Sequence, residues 1–201
     1  MDQVQDTRIS LFLKNMVSNS CVKLVKNILA QNTAIEVVKV ELGKAVINIV
    51  DAQIFNFNAI ETALIAHDFP IIQDKNLQLV EQIKVAAIEL IHFYNNSNSL
   101  IRNSDYLSNK LDLPYPQLSK IFSDKTGITL EKYIILLKME RVKELLFYDE
   151  FSVSEISFMM GYSSVQYLSN QFKQVTNLSI SEYKKGGKFE RIPLDNLLTS
   201  P

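Results

Sequence analysis

The sequence predicts two halves of different class. The first is an α+β N-terminal module in the order βαββαβ, a ferredoxin-like pattern; the second is an all-α domain built around a duplicated helical unit. Three observations carry this reading. Strand-type alternation and helix-type spacing take turns as far as Gln73. From Arg102 to Lys185 the apolar spacing is helical throughout. Within that stretch, LSKIFSDKTGITLEKY at 118–133 returns as LSNQFKQVTNLSISEY at 168–183, an offset of fifty residues.

The elements follow in order. Residues 8–14 (RISLFLK) alternate polar and apolar side chains and read as a strand. Cys21 to Ala30 reads as a helix with Val22, Val25, Ile28 and Leu29 on one face. Ile35 to Leu42 and Ala45 to Val50 read as two strands joined at Gly43-Lys44, a hairpin. Asn58 to Glu61 has the form of a capping box opening a helix to Ala66, and Phe69 to Gln73 reads as a short last strand. Phe55, Phe57 and Phe69 are assigned to the core of this module. Leu77 to Tyr94 spaces Leu79, Val80, Ile83, Ala86, Ala87, Leu90 and Ile91 as one long amphipathic helix. The polar run NNSNS at 95–99 is the linker. The expected divisions are a module at 1–74, a connecting helix and linker at 75–99, an all-α domain at 100–188 and a flexible tail at 189–201.

Composition bounds the function. The chain has 201 residues, 47% of them hydrophobic, enough for ordinary packed cores. Its apolar runs are too short to span a bilayer, and MDQVQDTR carries acids with no apolar stretch of signal-peptide type. A lone cysteine, Cys21, excludes an internal disulfide framework. These features predict a cytoplasmic protein with no membrane partner. The net charge of −1 is not that of a strongly basic nucleic-acid binder. Basic character nevertheless leans towards the repeat: residues 97–188 hold 12 Lys/Arg and 10 Asp/Glu, residues 1–96 hold 8 and 10. No Ser/His/Asp arrangement, phosphate loop or paired carboxylate stands out, and His67 and His92 lack partners at ligand spacing, so no enzyme is predicted.

Each copy of the repeat reads as two helices and a turn. In the first, Ser104 caps a helix bearing Leu107 and Leu111, and Asp112-Leu113-Pro114 ends it. The next helix turns Leu118, Ile121 and Phe122 inward and leaves Gln117, Ser119, Lys120 and Ser123 outward. In the second, Ser152 and Glu155 form a capping box, Ile156 and Met160 point inward, and Gly161-Tyr162-Ser163 is the turn. The following helix buries Leu168 and Phe172 and exposes Gln166, Ser169, Asn170 and Lys173. Gly127 and Asn177 end matching helices in the left-handed region, and Thr129 and Ser179 cap the next ones. Ser108 and Ser157 are small where two helices close on each other. Leu130 to Tyr148 is a spacer long enough to set the two exposed helices in successive major grooves, about 34 Å apart. Gln166 and Asn170 suit adenine, Lys120 suits guanine or a phosphate, and helix N-termini suit phosphates. Lys184, Lys185 and Lys188 are read as a solvated charged end, with phosphate contact as the alternative. The alternative, a scaffold of stacked helices, has too few copies for a solenoid.

These stretches, with the run KMERVKELL between them, resemble the DNA-binding domain of AraC-type transcriptional regulators over residues 100–185. Gly161-Tyr162, Phe172-Lys173 and Tyr183-Lys184 stand in register with the family signature. The resemblance implies two helix-turn-helix units joined by a helix, double-stranded DNA as partner and RNA polymerase as a second partner. The base-facing positions it implies are Pro116, Ser119 and Lys120 in the first unit and Gln166, Ser169 and Asn170 in the second. Pro116 has no side-chain hydrogen-bonding group, and Asn170 stands where many relatives hold Arg, which favours a homodimer or paired sites.

Met16-Val-Ser-Asn-Ser-Cys-Val22 resembles the metal loop of heavy-metal-associated domains, Met-x-Cys-x-x-Cys, with Ser18 in the first thiolate's place and Cys21 in the second's. One thiolate makes a poor soft-metal site. Cys21 is therefore a packed structural cysteine, a low-pKa thiol sensor, or half of a metal site shared across a dimer. No cofactor is expected. The rival to a DNA-binding regulator is a metal- or thiol-handling protein acting through Cys21.

Overall fold

The computed structural model describes residues 8–93, 102–186 and 190–198. The chain divides into two compact units, Met1–Val85 and Ala86–Pro201. The expected NNSNS linker and Lys188 lie outside the described residues.

The first unit contains β1 (Arg8–Phe12), α1 (Asn19–Ala30), β2 (Ile35–Glu41), β3 (Lys44–Ile49) and α2 (Phe57–Ile65), and α3 (Lys75–Ile88) begins in it. The three strands form one antiparallel sheet in the order β1-β3-β2. Glu41 pairs with Lys44, so the hairpin turn is Leu42-Gly43. Gly43 has φ +73°, and a Cβ there would come within 3.2 Å of Val85 Cγ2. Turn geometry and close approach both call for glycine. Val38 bulges out of the β2 ladder and stands exposed, which roughens the edge strand. Leu11, Ala45, Ile47 and Ile35 from the sheet meet Val25, Ile28 and Leu29 of α1 and Ile60 and Leu64 of α2. Phe69 joins this core, and Phe55 and Phe57 pack against its side.

Besides the hairpin turn, which sits at Leu42-Gly43 and not at Gly43-Lys44, two expectations for this unit change. The last strand, 69–73, shrinks to one antiparallel bridge between Leu13 and Ile71. Lys14 N–H donates to Pro70 O at 3.1 Å and Ile72 N–H to Phe12 O at 2.7 Å. Pro70 has no N–H to extend the ladder, and Asp68 enters in the left-handed region at φ 63°. The cap of α2 is Asn56, whose side chain accepts the Ala59 N–H at 3.2 Å, in place of Asn58. Starting two residues early turns Phe57, Ile60 and Leu64 towards the core.

The second unit holds the end of α3, a π-helical turn at Glu89–Phe93, α4 (Asn103–Leu111), α5 (Tyr115–Thr126), α6 (Leu130–Tyr148), α7 (Val153–Met159), α8 (Val165–Thr176) and α9 (Ile180–Lys185). The π-helical turn replaces the last turn of the helix expected to run to Tyr94. α4 starts under Arg102, and Ser104 sits inside its first turn rather than capping it. The long helix α6 is the axle, packing against α5, α7 and α8. On one side Leu107, Leu118, Phe122, Leu130, Tyr133 and Leu137 are fully buried. On the other, Met139, Val142 and Leu146 meet Ile156, Met160, Leu168, Phe172, Ile180 and Tyr183.

α6 also carries charge inward. Glu140 and Lys143 are 2% and 7% exposed and pair at 2.6 Å. Glu140 also accepts the Ile192 N–H at 2.9 Å, Arg191 reaches Glu144 at 3.3 Å, and Leu197 is buried. Residues 190–198, within the segment expected to be a flexible tail, thus dock on the axle. Among the described residues no helix is long and apolar enough to cross a membrane.

Candidate nucleic-acid interface

The repeat in sequence is a repeat in geometry. Phe122 packs on Tyr133 with ring centroids 5.2 Å apart, and Phe172 on Tyr183 at 5.3 Å. Thr126 Oγ1 donates to Phe122 O at 2.8 Å and accepts from Ile128 N–H; Thr176 Oγ1 donates to Phe172 O at 2.7 Å and accepts from Leu178 N–H. Gly127 and Asn177 end α5 and α8 in the left-handed region at φ 77° and 59°, with their N–H groups on the Ser123 and Lys173 carbonyls. Thr129 accepts the Lys132 N–H at 3.1 Å and Ser179 the Glu182 N–H at 3.2 Å. The turns match too: Leu113 N–H reaches Ser108 O, and Tyr162 N–H reaches Ser157 O. The spacing between equivalent residues is forty-nine there and fifty after it, so the second turn is one residue longer.

Caps strengthen the second copy. Ser152 and Glu155 form the expected capping box, with Glu155 N–H on Ser152 Oγ at 3.3 Å and Ser152 N–H on Glu155 Oε2 at 2.7 Å. Ser179 and Glu182 form another. The hydrogen bonds hold both carboxyls below the usual carboxylate range. Ser164 caps α8 through the Tyr167 N–H at 3.1 Å.

α5 and α8 present the predicted residues at equivalent places. Pro116 and Lys120 are exposed and Ser119 is half-buried on α5; Gln166 and Asn170 are exposed and Ser169 is half-buried on α8. Lys173 extends the α8 stripe and is exposed. Gln166 Nε2 donates to Asn170 Oδ1 at 3.0 Å. Lys184 pairs with Asp149, a surface ion pair. The first residue of α5, Tyr115, and the third of α8, Tyr167, line one groove of about 440 Å3.

The groove also holds Tyr115, Glu131 and Lys138, none of them among the expected base-facing residues. Tyr115 Oη donates to Glu131 Oε1 at 2.8 Å. Burial, then this bond, pushes the phenol well above its usual range. Lys138 Nζ donates to Met160 O at 2.8 Å and stands 5.3 Å from the Tyr162 ring centroid. Burial pulls its ammonium below the usual lysine value. Tyr162 Oη donates to Gln171 Oε1. The signal in the sequence is a lysine set between the inward residues Leu137 and Met139.

In the first unit Cys21 is half-buried at the start of α1, with Sγ 3.4 Å from Ser18 Oγ and 3.9 Å from Asn15 O. Met16 is fully buried, so its thioether belongs to the core. Among the described residues no group of three or more His, Cys, Asp or Glu can hold a metal ion. One thiol beside a hydroxyl does not fit the two-sulfur site that the loop resembles.

Comparison with known proteins falls on the second unit. A family model described as a helix-turn-helix domain matches residues 107–186. The chain is 29% identical over 99 residues to the xylose operon regulatory protein of Escherichia coli, covering 49% of this chain and 25% of that one. It is 32% identical over 106 residues to the Msm operon regulatory protein of Streptococcus mutans, covering 53% of this chain and 36% of that one. Among solved structures, the C-terminal domain of AraT, a response regulator from Geobacillus stearothermophilus, aligns at a TM-score of 0.47 and 23% identity, over 59% of this chain and 91% of that one. The chain therefore spans about a quarter to a third of the length of these curated relatives.

Proposed function

We infer that this chain is an AraC-type transcriptional regulator that binds double-stranded DNA through two helix-turn-helix units. The observation that carries the inference is the twin geometry: α5 and α8 hold equivalent polar residues outward, and their starts border one groove. α5 and α8 are the reading helices. Gln166 and Asn170 read adenine edges, Ser119 and Ser169 adjust to either base or phosphate, and Lys120 takes guanine or a phosphate. Pro116 contributes packing against the sugar–phosphate edge, and Lys173 grips a phosphate. The names of the relatives, both operon regulators, support the reading.

The division proposed is a ferredoxin-like module at 1–74 related to heavy-metal-associated domains, a connector at 75–99, the DNA-binding domain at 100–188 and a tail beyond it. The single bridge at Ile71 stands where the fourth strand of such a module would pair with β1. The module and the helix after it serve self-association, RNA polymerase is the downstream partner, and the protein works in the cytoplasm as a regulator, not an enzyme, with no cofactor.

Selection from duplexes with a random core of about 20 base pairs, two helical turns, tests this directly. The protein should enrich one sequence, and log Kd for it should rise linearly with log salt. Recovery of unrelated duplexes, or binding with no salt dependence, overturns the function.

A further inference from the structure

The spacer helix α6 does more than separate the two helix pairs. Glu131 and Lys138 are seven residues apart, two turns along one face and about 10 Å in rise. Glu131 accepts the hydroxyl of Tyr115, the first residue of α5. Lys138 donates to Met160 O, the last carbonyl before the α7–α8 turn, and faces the Tyr162 ring across that turn. Each helix pair is therefore tied to the same helix face by one polar side chain, and both ties end in the groove that the two reading helices share.

We propose that Glu131 and Lys138 are positioning residues, two pins on α6 that set the separation and orientation of the reading helices and hence the base-pair spacing the protein accepts. The proposal rests on the DNA-reading function above. Apolar packing alone permits sliding and rotation of helices by small steps, because ridges and grooves repeat along them. A directional bond to a backbone carbonyl does not repeat in this way. Lys138 suits the task because a half-buried ammonium donating to the carbonyl at a helix end also meets the negative pole of α7. The Met160 carbonyl and the Tyr162 ring are the contacts that place Lys138.

The test uses the full chain, the variants Lys138→Met, Lys138→Arg and Tyr115→Phe, and two duplexes: the one wild-type protein selects, and the same duplex with about five base pairs inserted between its halves, a half turn. Wild type should lose about a hundredfold in affinity on insertion, as the second unit's effective concentration is lost. Lys138→Met and Tyr115→Phe should bind the selected duplex about tenfold more weakly and lose much less on insertion, and Lys138→Arg should restore the wild-type pattern. A weakening equal on both duplexes means a merely structural role and overturns the proposal; so does an unchanged insertion penalty. Hydrogen exchange at the Gly161 and Tyr162 amides is read in parallel without DNA. Exchange should be at least about tenfold faster in Lys138→Met. Equal exchange overturns the pin. If wild type selects no duplex, the regulator function falls, and the exchange measurement still decides whether Lys138 holds the turn. If Lys138→Met does not fold, Tyr115→Phe, which removes one hydroxyl, carries the DNA test alone.

Discussion

Gln166 donates a hydrogen bond to Asn170 one turn further along α8, 3.0 Å between Nε2 and Oδ1, on the exposed face of the helix. The amides therefore fix each other's flip and present a shared pattern of donors and acceptors. Bidentate pairing with a base requires one of them to keep that orientation. Gln166→Ala and Asn170→Ala should each weaken binding to the selected duplex by about 1–3 kcal/mol, and the double variant by clearly less than the sum. Additive losses, measured by titration at one salt concentration, would show that the two amides act separately.

Lys120 and Lys173 differ in place and should differ in effect. With Lys173 in the proposed role of phosphate grip, Lys173→Ala should lower affinity about equally for selected and scrambled duplexes, and the salt slope should drop by about one. Lys120 stands on α5 where Asn170 stands on α8, and Lys120→Ala should weaken the selected duplex more than the scrambled one if it reads guanine. Equal losses on both duplexes assign Lys120 to phosphate.

The two aromatic pairs hold the twin cores. Phe122 and Phe172 are fully buried against Tyr133 and Tyr183. Truncation of either to Ala should cost about 3–5 kcal/mol in urea denaturation, against less than about 0.5 for Gln166→Ala on the surface. A loss under about 1 kcal/mol at Phe172 would mean that its core is loosely packed.

Acid sensitivity should centre on His92. Its side chain is 7% exposed and lies 3.7 Å from Glu144, which also binds Arg141 at 3.0 Å and Arg191 at 3.3 Å. Burial outweighs the attraction of Glu144, and with Arg141 and Arg191 it lowers the imidazole pKa to about 4. The folded value lies below the unfolded one. The neutral ring's contribution is thus complete above pH about 6.5, declines as the unfolded chain takes up its proton, and is gone below pH about 4. The linkage amounts to about 3 kcal/mol. His92→Gln should flatten stability between pH about 6.5 and 4; an unchanged acid limb would assign that loss to carboxylates instead.

Legibility followed the range of the interaction. The repeat was readable because its determinants are local: a Phe and a Tyr eleven residues apart, a Thr hydroxyl folding back on the helix end, a Gly or Asn at positive φ, and a Ser or Thr cap. The exposed stripe on α5 and α8 follows from the same register. What escaped depends on distant partners. Glu140 and Lys143 look like solvated residues until Ile192 and the docked segment around it close over them. Lys138 is ordinary until Met160 arrives twenty-two residues later. The caps of α2 and α4 were misplaced because several Asn and Ser residues stood within reach, and packing of Phe57 chose among those at α2.

Those caps offer a sharp check. Asn56→Ala should cost about 1 kcal/mol and Asn58→Ala close to nothing, whereas the reverse order would restore the start read from sequence. Ser152→Ala should cost about 1 kcal/mol or more, since it breaks both bonds of its capping box.

Hydroxyl-radical footprinting of the selected duplex, with wild type, Lys120→Ala and Gln166→Ala, reaches the centre of the account. Two protected patches on one side of the helix, about 34 Å apart, are expected, with each variant fading its own patch first. One patch alone, patches on opposite sides, or two variants indistinguishable from wild type would contradict it.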